Sequence, residues 1–283
     1  MKVAIVAMGP SKSEYLKHAV LNGGPYTAWD EVWAINTIGG CIKHDLMFHM
    51  DDVLVQELRA PDNPMVKAML GWMLHHDVPI MTSTTGGDLK KLAKEFRGKI
   101  NEDSPKEHKR ALIGTARLLE IAAPKYGKYK KLVSYPLQEV LESTGASYLN
   151  GSGAEAVAYA VHRKAESITL FGFDYTMQDK HIAESGRACV ELLVGIAKER
   201  GIVVQVPENS SLLDANVDTK FYGYDAWEVK AVRTTDGKVT VSKTPKDLPS
   251  AEEVELRYKK VPEKKLSPMP RELLEHLEKV GKV

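Results

Sequence analysis

Two glycine-rich turns stand out among the residues that could bind a ligand: Met8-Gly9-Pro10-Ser11 and Asn150-Gly151-Ser152-Gly153. A glycine-rich turn at the start of a helix exposes backbone N–H groups, which bind anions such as phosphate. Each turn alone is equally well explained as an ordinary connection between a strand and a helix, with no ligand. Two such turns in one chain favour a nucleotide ligand. Neither GxGxxG nor GxxxxGK[ST] occurs, which disfavours a dinucleotide dehydrogenase and a P-loop kinase.

An acid and a base follow the apolar run at residues 167–173. Asp174 comes at its end, and His181 lies a few residues further on, just before a predicted helix. An aspartate at a strand end can bind a sugar hydroxyl or orient a base, and a histidine on a loop over the site can accept a proton from an acceptor hydroxyl. Most loop histidines are merely solvated, so both interpretations of His181 stay open.

Asp51 and Asp52 are adjacent carboxylates after another apolar run. Such a pair can bind Mg²⁺ that bridges phosphates. The alternative is that one of them caps a helix starting at Val53, which would need no metal.

The elements that must position these residues are short apolar strands that alternate with helical stretches. The predicted strands are residues 3–8, 31–35, 46–50, 78–81, 167–173 and 202–206. This alternation predicts an α/β fold with a Rossmann-like, mostly parallel sheet, and such sheets bind ligands beyond the carboxyl ends of their strands. Asn36, Asp51 and Ser83 all follow predicted strands and are candidates for this edge.

Two regions of different character are predicted. Residues 1–224 form the Rossmann-like nucleotide-binding domain, with an inserted helical lid at about 86–140. Residues 225–283 form a small extension, in which Asp236-Gly237 predicts a β-hairpin turn and residues 270–280 an amphipathic helix. The segment from residue 229 has 13 basic and 9 acidic side chains, which would suit contact with a partner or an acceptor.

Composition narrows the class of protein. The 283 residues include 39 Lys and Arg against 38 Asp and Glu, which excludes a polybasic nucleic-acid coat. Cys41 and Cys189 lack the spacing of a disulfide framework or a zinc site. No apolar stretch approaches about 20 residues, and the N-terminal run is too short for a signal sequence. A soluble cytoplasmic protein without a membrane span is therefore expected.

The motifs together resemble those of a known group of enzymes. Four segments are similar to motifs of the bacterial sialyltransferase-like glycosyltransferases of the family 42 type. They are Ile5 to Ser11, Val32 to Asn36, Gly151 to Ala154, and the strand Ile168 to Tyr175. They also resemble the related superfamily of motility-accessory and 6-hydroxymethylpterin pyrophosphokinase-like proteins. The shared pattern is a GxGPS turn, a strand ending in Asn, a (T/N)SG helix start and a G-x-D strand.

The resemblance implies a modified Rossmann domain that takes a nucleotide-sugar donor, requires no cofactor or metal, and uses a histidine after the G-x-D strand as general base. That histidine would be His181, with Asp174 shaping the site. Tyr126, Tyr129 or Tyr135 in the lid would donate to the leaving phosphate. The donor would contact the remaining matched residues and their neighbours: Gly9, Pro10, Ser11, Asn36, Asn150, Ser152, Gly153 and Tyr175. Ser83 is a further donor-binding candidate because it follows a predicted strand. Met8 stands where the sialyltransferases carry a small polar residue, so sialic acid is not implied as the sugar.

Three functions therefore follow as hypotheses. The first is transfer of a sugar from a nucleotide sugar to an acceptor hydroxyl, on a glycan or a modified nucleic acid. The second is pyrophosphoryl transfer from ATP to a hydroxymethylated heterocycle, with Mg²⁺ on Asp51 and Asp52. The third is a nucleotide-binding scaffold protein without catalysis. A homo-oligomer is compatible with all three.

Overall fold

The computed structural model describes residues 1–258 except 102, 176–179, 216–220, 222, 225, 234–237 and 249. Strands and helices alternate through most of this range. The strands are β1 (Lys2–Val6), β2 (Glu31–Ile35), β3 (Leu46–Phe48), β4 (Ile80–Thr82), β5 (Leu132–Ser134), β6 (Ser167–Phe171), β7 (Val203–Gln205), β8 (Trp227–Arg233) and β9 (Val239–Pro245). The α-helices are α1 (Lys12–Leu21), α2 (Val53–Arg59), α3 (Pro64–Met73), α4 (Gly86–Gly98), α5 (Lys106–Ala122), α6 (Leu137–Thr144), α7 (Ser152–His162), α8 (Lys180–Glu199) and α9 (Ala251–Tyr258).

Seven parallel strands form the main sheet in the order β5-β4-β3-β2-β1-β6-β7. The chain moves outward from β1 to β5 and then returns to the other side of β1 with β6. The predicted Rossmann-like α/β fold is therefore confirmed. The order reverses between β1 and β6, and ligands bind such sheets outside the carboxyl ends of the strands, at the point of reversal.

Apolar side chains cover both faces of the central strands, as parallel sheets require. On one face Ile5, Trp33 and Phe48 belong to a core cluster with the buried alanines of α7. On the other face Ala4 and Ala34 pack in a second cluster with the aromatic residues of α1 and its neighbourhood. The continuous apolar runs of the sequence thus arise because these strands have no solvent-facing side.

The interval predicted as a lid contains both a helical hairpin and part of the sheet. Helices α4 and α5 pack on each other, and Arg97 donates two hydrogen bonds to Glu120 across the pair, at 2.8 and 2.7 Å. After them, β5 pairs with β4 at the edge of the sheet. The sequence did not indicate β5 because the strand has three residues and its Val133 is exposed.

The C-terminal extension contains the predicted hairpin, in which β8 and β9 pair from Trp227 with Pro245 to Arg233 with Val239. Its turn residues Asp236 and Gly237, and the predicted helix at 270–280, lie outside the described residues. Helix α9 was not predicted. Within the described part of the chain, no helix has an uncharged apolar stretch of the length that a bilayer crossing needs.

Candidate functional site

The predicted site residues lie along one edge of the sheet because parallel, paired strands end together. Gly9 and Pro10 follow β1, Asn36 follows β2, and Ser83 follows β4 with its side chain exposed. Asp51 comes three residues after the end of β3, and Asp174 and Tyr175 come soon after β6. The second glycine-rich turn joins this edge, since Ser152 Oγ accepts a hydrogen bond from the Met50 N–H at 3.3 Å.

The turn after β1 is tied to the end of β6 by a set of short polar contacts that form the β1–β6 clasp (Gly9, Ser11, Gly172 and Asp174). The Gly9 N–H donates to the Gly172 carbonyl at 2.9 Å. The Gly172 N–H donates to Ser11 Oγ at 2.9 Å, and the Ser11 N–H donates to Asp174 Oδ2 at 2.7 Å. Ser11 and Asp174 are 0% and 3% exposed. Asp174 and Ser11 thus hold two strands together at the point of reversal.

The clasp also fills the N-terminus of α1. The Asp174 carboxylate occupies the place that a bound anion would take, on the N–H of Ser11. The next three N–H groups, of Lys12, Ser13 and Glu14, donate to backbone carbonyls three residues earlier. A negative charge at this end of a helix is stabilised by the helix dipole. At the first glycine-rich turn, the Asp174 carboxylate therefore takes the place of a bound anion.

The N-terminus of α7 differs in this respect. Gly151 is its N-cap residue, with a φ of 98° that favours glycine, and no described side chain caps the helix. The Glu155 N–H donates to the Gly151 carbonyl, whereas no described residue accepts from the N–H groups of Ser152 and Gly153. The Asn150 N–H is turned away, donating to Cys189 Sγ at 3.4 Å. Of the two turns, only the second presents unused N–H groups to a ligand.

Glu155, in the first turn of α7, was not singled out from the sequence. Burial, followed by the charge of Asp51, raises the pKa of Glu155 to about 7. Side chains on a helix lean toward its N-terminus, which places this carboxyl beside the open turn. No described side chain or backbone N–H donates to it. A carboxyl group that is partly protonated at neutral pH is a candidate proton donor or acceptor.

Aromatic residues after β6 pack against the same turn. A Cβ atom on Gly153 would lie 2.8 Å from Phe173 Cε1, so a glycine is needed at this position. A Cβ atom on Gly186 of α8 would likewise lie 2.8 Å from Tyr175 Cε1. Burial raises the pKa of Tyr175, so its phenol stays protonated. Tyr175 therefore lies beside the open turn, and its role in binding the donor stays a prediction.

A row of polar residues ends the neighbouring strands. Ile35, Phe48 and Met81 are register partners, and the residues that follow them are Asn36, His49 and Thr82. His49 Nδ1 lies 3.0 Å from Asn36 Oδ1. The backbone N–H of His49 donates to the Met81 carbonyl and so continues the hydrogen bonding between β3 and β4. His49 was missed because it was assigned to the strand 46–50, and Thr82 because only its neighbour Ser83 was chosen after the strand 78–81. The signal that could have found both is a polar residue at the carboxyl end of a strand.

Asp52 has a structural role that the sequence had offered as the alternative to metal binding. Its Oδ1 accepts the N–H of Leu54 and of Val55 at the start of α2, and its Oδ2 accepts the hydroxyl of Tyr126 at 2.5 Å. Asp51 is exposed. Across the residues that the structure describes, no three His, Cys, Asp or Glu side chains come together as a metal site.

The lid tyrosines also have internal partners. The Tyr126 hydroxyl donates to Asp52, and the Tyr129 hydroxyl donates to Glu57 at 2.6 Å. The Tyr135 hydroxyl donates to the Glu155 carbonyl at 2.9 Å. Each would have to leave its acceptor before donating to a leaving phosphate.

His181 lies in the first turn of α8, which begins at Lys180, and not just before the helix as predicted. Its side chain falls outside the described residues, as does the segment 176–179 before it. The general-base role of His181 stays a prediction.

A groove of about 1120 Å³ lies elsewhere, between α1 and the β6–β7 face of the sheet. Its floor includes Thr169, whose hydroxyl accepts from Trp29 Nε1 at 3.1 Å and lies 3.3 Å from Gln205 Oε1. None of the predicted site residues lines it. The groove is a stretch of sheet face beside α1, and the chemistry-bearing side chains lie at the carboxyl edge instead.

Comparisons with protein-family models, with curated proteins and with solved structures find no match to this chain.

Proposed function

We propose that the protein transfers a sugar from a nucleotide sugar to an acceptor hydroxyl, at the carboxyl edge of the sheet beside α7. The observation that carries this proposal is the combination of two features: the N-terminus of α7, which no described side chain caps, and the adjacent carboxyl of Glu155, which no described group donates to. The N–H groups of Ser152 and Gly153 bind the donor's phosphate, and the resemblance to nucleotide-sugar transferases supports the choice of donor.

In the reaction, the bond between the sugar's anomeric carbon and a phosphate oxygen breaks, and the acceptor oxygen forms the new bond to that carbon. The leaving phosphate gains negative charge and takes a proton from Glu155. The acceptor hydroxyl gives its proton to a base, the role that the resemblance assigns to His181. Glu155 thus does what the resemblance assigns to tyrosines, which in this protein donate within the fold.

The protonation of Glu155 fits this role. Its pKa of about 7 is set by burial and by Asp51. A phosphate bound beside it adds negative charge, which raises the pKa further and keeps the carboxyl protonated at neutral pH. A carboxyl group held neutral by its surroundings can donate a hydrogen bond and a proton where an ordinary glutamate cannot.

A second candidate function rests on the pair of carboxylates at Glu155 and Asp51. They lie close enough for the charge of Asp51 to raise the pKa of Glu155. Mg²⁺ is commonly held by one or two carboxylates together with substrate phosphates, so the two could hold Mg²⁺–ATP for pyrophosphoryl transfer. In that case Glu155 must be ionised, because a metal ligand is deprotonated. The ligand pair differs from the Asp51–Asp52 pair expected from the sequence.

Calorimetry separates the two candidates. We expect one member of a panel of UDP-, CMP- and GDP-sugars to bind at pH 7 with the same affinity in EDTA as in Mg²⁺, and with uptake of protons by Glu155. Proton uptake is measured from the dependence of the binding enthalpy on the ionisation enthalpy of the buffer. ATP serves as the comparison ligand.

The opposite pattern supports the second candidate. Binding of ATP that disappears in EDTA and releases protons would show that Glu155 is a metal ligand and would overturn the glycosyltransferase proposal. Sugar-nucleotide binding without turnover of any acceptor would instead support the scaffold hypothesis.

A further inference from the structure

Two neighbouring polar atoms at the carboxyl edge have no hydrogen-bond partner among the described residues. They are His49 Nε2 and Thr82 Oγ1, each almost fully buried, in residues that are 1% and 0% exposed. Leaving a buried polar group without a partner costs stability, and such groups are rare in folded proteins. Their position side by side therefore calls for a common explanation.

The two residues are adjacent on the same face of the sheet. Phe48 pairs with Met81 in register, so His49 and Thr82 are the next pair. Met47 and Ile80, two residues earlier, share one core cluster, and side chains two apart point to the same face. The side chains of His49 and Thr82 thus point to the same side of the sheet at the ends of β3 and β4.

Their chemistry is complementary. Burial lowers the pKa of His49, so the ring is neutral and carries one N–H. Asn36 Oδ1 can only accept, so the His49 Nδ1–H donates to it and Nε2 is left as an acceptor. The Thr82 hydroxyl supplies a donor. A single O–H group satisfies both, since its hydrogen donates to Nε2 while its oxygen accepts from Oγ1.

We infer that His49 and Thr82 bind one hydroxyl of the ligand, a ribose or sugar hydroxyl, and that Asn36 fixes the histidine in the required tautomer. The inference rests on the proposed function for the identity of the ligand. Access requires the loops that follow β2, β3 and β4 to part, because each atom has less than 1 Å² exposed. The cost of the unpartnered pair is recovered when the ligand binds.

The test compares three threonine variants. Thr82→Val keeps the shape but removes the hydroxyl, and Thr82→Ser keeps the hydroxyl. Thr169→Val is the matched control, since Thr169 is also a buried strand threonine but its hydroxyl has partners in Trp29 and Gln205. We expect Thr169→Val to lower the Tm and Thr82→Val to leave it unchanged or raise it, because only the first removes a satisfied hydroxyl.

Ligand binding gives the second readout. For the tightest sugar nucleotide of the panel, Thr82→Val should lower affinity about tenfold and Thr82→Ser should keep it. One deoxy analogue of that ligand should bind wild type about tenfold more weakly than the parent compound does. The Thr82→Val variant should bind the analogue and the parent compound with equal affinity.

Two results would overturn the inference. A Tm lowered by Thr82→Val as much as by Thr169→Val would mean that an internal water or a protein group already satisfies Thr82. Equal affinity of wild type and Thr82→Val for the ligand would mean that the hydroxyl binds elsewhere. If no sugar nucleotide binds wild type, the proposed function fails by itself. The pair is then tested with ribose and free monosaccharides, where binding that does not depend on Thr82 overturns it.

Discussion

Glu155→Gln should lower kcat by about 10²-fold or more, while the affinity for the donor stays within a few-fold. Glutamine fills the same space and can still donate a hydrogen bond to phosphate, but it cannot transfer a proton, and general acid catalysis typically contributes about 10²–10⁴-fold. In wild type, kcat should fall as the pH rises through the pKa of Glu155 in the donor complex, above 7. That alkaline limb should be absent in the variant.

Glu139→Gln is the matched control, because Glu139 also lies in the first turn of a helix, α6, but is exposed. Its kinetics should equal those of wild type. His181→Ala should remove the acidic limb of the pH profile if His181 is the base. Retention of full kcat and of the alkaline limb by Glu155→Gln would exclude Glu155 as the proton donor.

The stability of Glu155→Gln gives a second prediction, and measuring it also shows whether the variant folds. The pKa of Glu155 is raised from 4.5 to about 7 in the folded protein, so the folded state holds the proton more tightly than the unfolded chain. The contribution of this bound proton to the free energy of unfolding is fully present below about pH 4.5 and is lost as the pH rises through about 7. At pH 8, Glu155→Gln should exceed wild type in stability by about 2–3 kcal/mol. Thermal melts should show this excess vanish near pH 4.5.

Gly9→Ala should strongly destabilise the protein, although it adds only one methyl group. A Cβ atom at this position would lie 2.3 Å from Asp174 Oδ2 and 2.5 Å from the Gly172 carbonyl oxygen. The carbonyl belongs to the backbone and cannot rotate away, so the β1–β6 clasp must open. We expect a loss of about 3 kcal/mol or more, which corresponds to a fall in Tm of about 6–12 °C.

Gly114→Ala is the control for adding a methyl group to a glycine. Gly114 is exposed in the middle of α5, and its Cβ would meet nothing within 4 Å. This substitution should raise stability by up to about 1 kcal/mol, because alanine favours the helix. Equal Tm values for Gly9→Ala and wild type would contradict the close packing of the clasp.

The sheet could be predicted from the sequence because its central strands are buried on both faces. The run from Val3 to Val6 is apolar without alternation, which is typical of a parallel strand. Once the strands are parallel, residues such as Asn36 and Ser83 must lie on a common edge. The short, exposed β5 carries no such signal, and packing alone establishes it.

The roles within the site could not be predicted in the same way. Asp174 and Ser11 are 163 positions apart, and only the folded chain brings the carboxylate onto the Ser11 N–H. That contact decides which glycine-rich turn is open. Glu155 appears in the sequence as an ordinary first-turn acid, and its raised pKa arises from burial and from Asp51, which belongs to a distant segment.

In the proposed reaction the donor's phosphate binds at α7 and not at α1. Amide chemical shifts of the ¹⁵N-labelled protein, recorded while the tightest sugar nucleotide of the panel is added, test this most directly. We expect the N–H signals of Ser152 and Gly153 to shift strongly downfield on saturation, while those of Ser11 and Lys12, which already have acceptors, move little. Strong shifts at Ser11 and Lys12 with none at Ser152 and Gly153 would contradict phosphate binding at α7.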